Sequence, residues 1–541
     1  MELSRLVECL SDPAAYPEPT SRVEVVQTHI SWIFLTDRFA YKVKKPVDYG
    51  FLDYTTLAAR RVCCEREVVL NSRLCPDTYL GVVELGEREG RVTFDGSGEV
   101  REIAVKMVRL PEDRMLRRVL ERGEGESGLF VDLARTLAAF HERARLAGER
   151  AAIKNLEGAR FNCEENFAQT EKYVDVLVPR QEFEFIRTST RLFFERRAAL
   201  FARRVAEGRI VDGHGDLHLD SICATEPARI FDCIEFNERF RIQDTAEEVG
   251  FLAMDLEYAG YTPFAKVFVD AYGEAARDRE LHDLLDFYKC YRAYVRAKVN
   301  AFLSEDGTLP PEQRAVVCAA ATRYFELAGR YATHFNPQRL IVMCGLTGSG
   351  KSTLARNLAS RHRLDLVRSD VVRKELLGLA PDERRHVPYN AAEYAPTMTD
   401  QTYAAMLERA EASLQVGKSI VLDGCFIRRS QRELAAGLAR RRGVPMLVIE
   451  CRTSESIIRE RLEHRVRKNG VVSDGRWEIY CQQLAEFEPP EELSGDERVV
   501  VDRSRPVEEL LGELTAVLPV AWQDRPDLHG RSSEDTATTA P

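Results

Sequence analysis

Between Arg339 and Asn357 the chain reads RLIVMCGLTGSGKSTLARN: an apolar run, a glycine-rich turn closing on Lys351, and a helix-forming stretch. No other segment restricts the fold as strongly. An apolar run of this length reads as a buried strand, and the G-x-x-x-x-G-K-[ST] spacing from Gly345 to Ser352 demands a strand–loop–helix unit around it. Four more apolar runs follow, LDLVRSD, SIVLDGC, PMLVIEC and RVVVDRS, each trailed by a charged, helical-looking segment. Strands alternating with helices in this way predict a five-stranded parallel sheet covered by helices.

The chemistry of the turn follows from its residue types. Glycines let backbone N–H groups close around anionic oxygens, a lysine neutralises them, and a serine hydroxyl can ligate magnesium. Gly345, Thr347, Gly348, Ser349, Gly350, Lys351, Ser352 and Thr353 are therefore the candidate nucleotide-binding residues, with Ser352 also a metal ligand. Ligands of parallel sheets bind beyond the carboxyl ends of the strands. Asp370 ends the second strand and can accept a proton from a substrate hydroxyl oriented by Arg373; the alternative is a helix-capping carboxylate. Asp423 ends the third strand, where a carboxylate organises a metal through water. Arg461 and Arg465, four apart on one helix face, can clamp a transferring phosphoryl group, the alternative being a solvated face.

The first half is built differently. From Val23 to Lys45 the residues are rich in β-branched and aromatic types and break at Thr36-Asp37-Arg38, which predicts an antiparallel hairpin or meander. LAARRVCCEREVVLNSRL has helical apolar spacing, and YLGVVEL, GRVTFDG and EIAVKMVRL return to strands. From Leu116 to Arg209 the pattern is largely helical, with Leu133, Leu137 and Phe140 on one stripe. VDGHGDLHLDSICA and the short strand ARIFD come next, then helices from Thr245 to Tyr331. His214 and His218 are four apart and could pair on zinc, but the glycine between them disfavours helix and no third ligand is evident.

GLTGSGKST, RSDVVRKEL, VLDG and RERLEHRVR together resemble the small P-loop kinases, the group of gluconate kinase, polynucleotide 5′-kinase and zeta-toxin-like kinases, over about Arg339 to Pro519. HGDLH followed by IFDCIEF, with FAYKVKK and CEREVVL upstream, resembles the aminoglycoside phosphotransferase (choline-kinase-like) family over about Val23 to Tyr331. The whole chain resembles a bacterial group that fuses the two. The resemblance implies an α+β bilobal protein-kinase-like domain (1–335) followed by an α/β P-loop domain (338–520), with the boundary near Asn336-Pro337.

Carried over residue by residue, the resemblance implies that Asp216 accepts or orients the acceptor hydroxyl and Asp232 meets the metal. Lys42, with Lys44 close behind, meets the ATP phosphates, and Glu67 pairs with that lysine. There are two departures. QTHISW stands where a glycine-rich turn would cover the phosphates, and Ser221 stands where such a loop carries a magnesium-holding asparagine. A shorter ligand that weakens charge neutralisation by about 1.4–4 kcal/mol slows transfer roughly ten- to thousand-fold. The expected cofactors are ATP and Mg2+ and the expected acceptor is a small-molecule hydroxyl. A regulatory, catalytically silent first half and an ATP-dependent switch without an acceptor are the alternatives.

Composition bounds the remainder. A formal charge of −10 over 541 residues argues against an extended nucleic-acid surface. The longest apolar runs fall far short of a membrane span, and the N-terminus reads as no secretory signal. Thirteen cysteines without C-x-x-C spacing fit a reduced, cytoplasmic compartment. Residues 521–541 lack apolar periodicity and are expected to be a disordered tail.

Overall fold

The computed structural model describes residues 3–48, 50, 52–88, 91–94, 98–307, 309–335, 338–379, 395–415, 418–467, 476–495 and 497–517. The Asn336-Pro337 boundary and the tail at 521–541 lie outside them. The chain divides into two compact units, residues 1–173 with 197–331, and residues 174–196 with 332–541.

The first unit begins with a six-stranded antiparallel sheet. Strands β1 (Glu24–Gln27), β2 (Ser31–Leu35) and β3 (Phe39–Lys44) form the expected meander, and β4 (Tyr79–Arg88), β5 (Arg91–Thr93) and β6 (Glu99–Val108) complete the order β1-β2-β3-β6-β4-β5. The turn at Thr36-Asp37-Arg38 is closed by Thr36, whose Oγ1 accepts from the Phe39 N–H at 3.0 Å. Side chains alternate across a strand. On β3, Tyr41 and Val43 join Tyr16, Phe34 and Phe94 on one face. Ala40, Lys42 and Lys44 thereby point to the other, where the helix Leu57–Asn71 lies.

That helix has the expected period, but its inward stripe is not the apolar one its sequence suggests. Arg60, Cys64, Glu67 and Asn71 are the buried positions, spaced four, three and four apart. They are buried because polar partners wait opposite: Arg60 forms a two-pronged pair with Glu102 at 2.9 and 2.8 Å. The rest of the unit is mainly helical, with Leu133, Leu137 and Phe140 buried as their stripe predicts. The helix Thr245–Tyr258 is buried at every position from Thr245 to Leu256, so its carboxylates Glu247, Glu248 and Asp255 sit in the interior. Two short ribbons run beside it, β7 (Ile210–Asp212) with β10 (Ile242–Asp244) and β8 (Ile222–Cys223) with β9 (Arg229–Ile230). An antiparallel sheet lobe followed by a helical lobe is the α+β bilobal arrangement expected of this half.

The second unit holds β11 (Leu340–Cys344), β12 (Asp365–Arg368), β13 (Ile420–Asp423), β14 (Met446–Arg452) and β15 (Arg498–Asp502), all parallel, in the order β12-β13-β11-β14-β15. All five predicted strands are present. Two apolar clusters, one around Val342, Leu422 and Val448 and one around Ile341, Val421 and Ile449, cover the two faces of the sheet. Both faces are buried, so the strands read as continuous apolar runs. Residues 174–196 belong here too: Gln181 Nε2 donates to Ser360 Oγ at 2.6 Å, and Glu182 pairs with Arg363. No helix among the described residues is long and apolar enough to cross a membrane.

Candidate active sites

In the second unit the strand ends converge on the turn after β11. Gly345 lies at φ +131°, and a Cβ there would come within 2.6 Å of the Cys451 carbonyl oxygen, so only glycine fits against β14. Lys351 opens the helix Lys351–His362 and donates to the Leu346 carbonyl at 2.7 Å, its ammonium curled over the turn. Ser352 Oγ donates to Asp423 Oδ1 at 3.0 Å, and Arg368 Nε donates to Asp423 Oδ2 at 3.3 Å. Burial pushes the Asp423 carboxyl above its usual range, against the opposing pull of the Ser352 hydrogen bond and Lys351. A buried carboxylate touching the turn's hydroxyl is a site whose charge a divalent cation would offset.

The other candidates of this unit are placed as follows. Thr347 donates its N–H to Gln483 Oε1 at 2.8 Å, and Ser349 is buried within the turn. Thr353 is exposed in the first turn of the helix. Asp370 does not end the second strand, which stops at Arg368, but lies in the first turn of the helix Ser369–Leu376, with Arg373 NH1 3.8 Å from its Oδ1. Arg461 NH2 donates to the Arg503 carbonyl at 2.8 Å. The Arg465 side chain lies outside the described residues.

Arg503 is a residue the sequence reading passed over. It directly follows β15, is buried, and its Nε and NH1 have no hydrogen-bond partner among the described residues; nor has Arg461 NH1. Both guanidinium groups face the turn: a Cβ on Gly350, at φ +91°, would lie 3.1 Å from Arg503 Nε and 3.2 Å from Arg461 NH1. Its position at a strand end is the signal that could have found it.

In the first unit, Lys42 on β3 reaches Glu67 Oε1 at 2.8 Å and Asp232 Oδ1 at 2.5 Å. Lys44 lies deeper, fully buried, with Glu67 Oε2 at 2.6 Å and Glu235 as its second partner. Tyr54 donates its hydroxyl to the same Glu235 oxygen at 2.7 Å. The geometry separates the two lysines. Lys42 shares Asp232, whose side chain is 57% exposed, whereas Lys44 is enclosed by carboxylates that are not. Burial works against the charge on Lys42, but Asp232 and Glu67 outweigh it and hold the ammonium well above the usual lysine range. Asp232 itself takes the left-handed conformation at φ +64°, rare for a side-chain-bearing residue, with its N–H given to the Tyr79 hydroxyl at 3.1 Å.

The loop carrying Asp216 is pinned from beneath by Glu248. Its Oε1 accepts from the N–H groups of His214 and Gly215, each at 2.7 Å, and from Gln243 Nε2 at 2.7 Å, while its Oε2 lies 2.6 Å from His141 Nε2. Nothing in the local sequence TAEEVGF marks this carboxylate as different from a solvated helix residue. His214 is buried, with Nε2 2.8 Å from the Phe231 carbonyl and Nδ1 3.3 Å from the Asp216 N–H. Both ring nitrogens are thus engaged, and no group able to hold a metal through three His, Cys, Asp or Glu side chains occurs among the described residues. The zinc alternative for His214 and His218 has no support in this geometry.

His218 Nε2 lies 3.5 Å from Asp216 Oδ2 and Nδ1 lies 3.6 Å from Asp220 Oδ2. Burial disfavours the imidazolium, but the flanking carboxylates raise His218 to about 10. Burial likewise opposes the Asp216 charge, and His218, Arg296 and Arg292 outweigh it, holding that carboxyl well below the usual range. Ser221 is buried with its hydroxyl turned onto the loop itself: Oγ donates to the His218 carbonyl at 2.8 Å and accepts the His218 N–H at 3.0 Å. The hydroxyl expected to ligate a metal therefore closes the turn Leu219–Ser221.

The family model described as AAA domain matches residues 340–490. The uncharacterized protein Rv2004c of Mycobacterium tuberculosis strain H37Rv is 32% identical over 465 residues, covering 84% of this chain and 88% of that protein. The chain belongs to the family of this mycobacterial protein. Its members are thus related across both units and not through the P-loop domain alone. Among solved structures, a sugar kinase from Janibacter sp. HTCC2649 is similar over 35% of this chain and 100% of its own, with 22% identity and a TM-score of 0.26. Aminoglycoside 2′-phosphotransferase-IIIa, in its GDP complex, is similar over 60% of this chain and 98% of its own, with 12% identity and a TM-score of 0.39. The AAA-domain match falls in the second unit, on the parallel strands β11 to β14 and the phosphate turn, and the first unit has the antiparallel sheet lobe and helical lobe described above.

Proposed function

We propose that this chain is an ATP-dependent phosphotransferase whose two units each bind a nucleotide and each act on a hydroxyl of a small molecule. The observation that carries the reading is the meeting of Ser352 with Asp423 at 3.0 Å beneath Lys351, with Asp370 and Arg373 at the neighbouring strand end. Turn N–H groups and Lys351 hold the phosphates, Arg461 and Arg503 supply the unpaired N–H groups at Gly350, and Asp370 takes the proton of an acceptor hydroxyl that Arg373 helps to orient. Magnesium, held at Ser352 and Asp423, would neutralise charge on the transferring group.

In the first unit Lys42 holds phosphate oxygens while Glu67 fixes the lysine, and Asp232 and Ser221 are the residues available to magnesium. Asp216, its side chain 43% exposed beside His218, accepts the proton of the acceptor hydroxyl or orients that hydroxyl. A second reading, in which this unit binds nucleotide or ligand only to regulate the other, is favoured by one observation, the commitment of the Ser221 hydroxyl to the His218 backbone. We place the reaction in the cytoplasm, where thirteen free thiols persist.

The test is ATP consumption together with mass-spectrometric detection of phosphorylated products from a mixed metabolite extract, run on wild type, Asp216→Ala and Lys351→Ala. Two separable products, one lost with each substitution, is the expected result. Turnover unchanged by Asp216→Ala with nucleotide binding retained makes the first unit regulatory. ATP loss without any phosphorylated product overturns the transferase reading.

A further inference from the structure

Beside Asp216 the first unit collects buried polar atoms that nothing in the fold satisfies. Among the described residues, Arg292 Nε, Arg296 Nε, the Tyr258 hydroxyl and Asp255 Oδ1 are buried without a hydrogen-bond partner. Buried polar groups are nearly always paired, and an orphan is costly. These four belong to one neighbourhood. Asp255 Oδ2 accepts the Leu219 N–H at 2.9 Å, three residues beyond Asp216. Arg292 lies 4.7 Å over the Phe251 ring, whose centroid is 6.0 Å from that of His218. Arg296 lies 5.7 Å over Tyr324, which stacks on Tyr258 at 3.9 Å and 10°. Both arginines also act electrostatically on Asp216.

Charges of both signs meet here: Asp216, Asp220 and Asp255 stand among His218, Arg117, Arg292 and Arg296, and Arg292 NH2 donates to Gln243 Oε1 at 2.6 Å. Arg292 has Glu247 at 3.0 Å, but Glu247 is shared with Lys154 at 2.9 Å. Arg296 has no carboxylate within ion-pair distance among the described residues. A guanidinium Nε–H donates only, a carboxylate oxygen accepts only, and a tyrosine hydroxyl does either. The missing partner must therefore offer acceptor oxygens to the arginines and hydroxyl donors to Asp255. A cationic, amine-rich acceptor would meet like charge at both arginines.

Resting on the reading of Asp216 as the residue that orients the acceptor, we infer that the first unit's acceptor is a polyhydroxylated anion, a sugar acid or sugar phosphate, whose charged group is held by Arg292 and Arg296 and whose hydroxyls meet Asp255 and Asp216. The shared chemistry is a carboxylate or phosphate on a polyol, and the experiment separates the two.

The test uses the full chain carrying Lys351→Ala, so that only the first site transfers. D-gluconate, D-glucose 6-phosphate, D-glucose and D-glucosamine are titrated calorimetrically with a non-hydrolysable ATP analogue present, and each is assayed for transfer from ATP. Gluconate or glucose 6-phosphate should bind at least tenfold tighter than glucosamine. Arg296→Met should weaken that binding at least tenfold while leaving glucose unchanged, and Arg296→Lys should restore part of it. Glucosamine or glucose binding as well as both anions, or Arg296→Met leaving anion affinity intact, overturns the inference. Asp216→Asn addresses the underlying reading separately. If anions bind selectively through Arg296 but wild-type Asp216 transfers nothing to them, the anion site stands and the catalytic reading falls.

Discussion

Replacing Glu248 with glutamine tests whether the Asp216 loop rests on a charge or on a shape. The carboxylate takes three N–H donors on one oxygen and faces His141 with the other. Burial opposes its ionisation, but the His141 hydrogen bond and the loop's N–H groups outweigh it and bring Glu248 from 4.5 down to about 2. A depressed folded value stabilises the fold fully above the unfolded value and is lost as pH falls towards the folded one. The drop corresponds to about 3 kcal/mol at neutral pH, of which about 2 kcal/mol is gone by pH 3. Glutamine is nearly isosteric: its carbonyl can keep the three donors and its amide can face a His141 nitrogen, so the loop geometry survives while the titration disappears. Urea unfolding of the first unit can be followed at Trp32, buried in the sheet lobe, in a background with Trp477→Phe and Trp522→Phe. The cost of Glu248→Gln should shrink by about 2 kcal/mol between pH 7 and pH 3. A cost equal at both values would show that Glu248 contributes no pH-dependent charge interaction, and the argument fails.

Other perturbations separate the two sites. Glu67→Gln leaves two buried lysines sharing one fewer carboxylate and should cost about 3–5 kcal/mol, read as a lowered urea midpoint at Trp32; a loss below about 1 kcal/mol would mean that water reaches the pair. Gly350→Ala forces a side chain into φ +91° against Arg503 and should lower affinity of the second site for an ATP analogue at least tenfold in a Lys42→Met background; unchanged affinity would remove Arg503 and Arg461 from the nucleotide site. Ser221→Asn offers a carbonyl oxygen to magnesium while its amide can keep the bond to the His218 carbonyl, and should raise first-site transfer about tenfold or more; no rise, with nucleotide binding retained, favours the regulatory reading. Arg503→Met should weaken second-site nucleotide binding and leave the folded state no less stable, because it removes a buried, unpaired guanidinium.

Elements with a simple period were legible in the sequence, and so was chemistry tied to fixed spacing. The five parallel strands, the meander ending on Lys42 and Lys44, and the stripe of Leu133, Leu137 and Phe140 all follow from burial of apolar residues at intervals of two or near four. The phosphate turn was legible because backbone geometry restricts it to glycine at particular positions, as the approach of the Cys451 carbonyl to Gly345 shows. Strand order was not legible, since neighbouring apolar runs do not state which of them pair. The preference for Lys42 over Lys44 has no basis in alternation, which puts both on one face; only the partners opposite, Asp232 for one and Glu235 for the other, distinguish them.

The residues that sequence reasoning missed share a physical cause. Arg60 and Asn71 share the buried stripe of the helix Leu57–Asn71 with the expected Glu67, positions where a hydrophobic pattern expects leucine or valine. Glu247, Glu248 and Asp255 do the same on a helix buried on nearly every side. A charged residue at such a position costs stability unless a partner from a distant segment meets it, and the sequence does not record that meeting. The first unit holds these costs in one place, around Lys42, Asp216 and the orphaned atoms of Arg292, Arg296 and Asp255. Where the fold supplies the partner, as at Glu67 and Glu248, the charge positions a lysine or a loop. Where it does not, the unmet hydrogen-bonding capacity is itself the description of a ligand, and the donors and acceptors left over beside Asp216 describe an anion with hydroxyl groups.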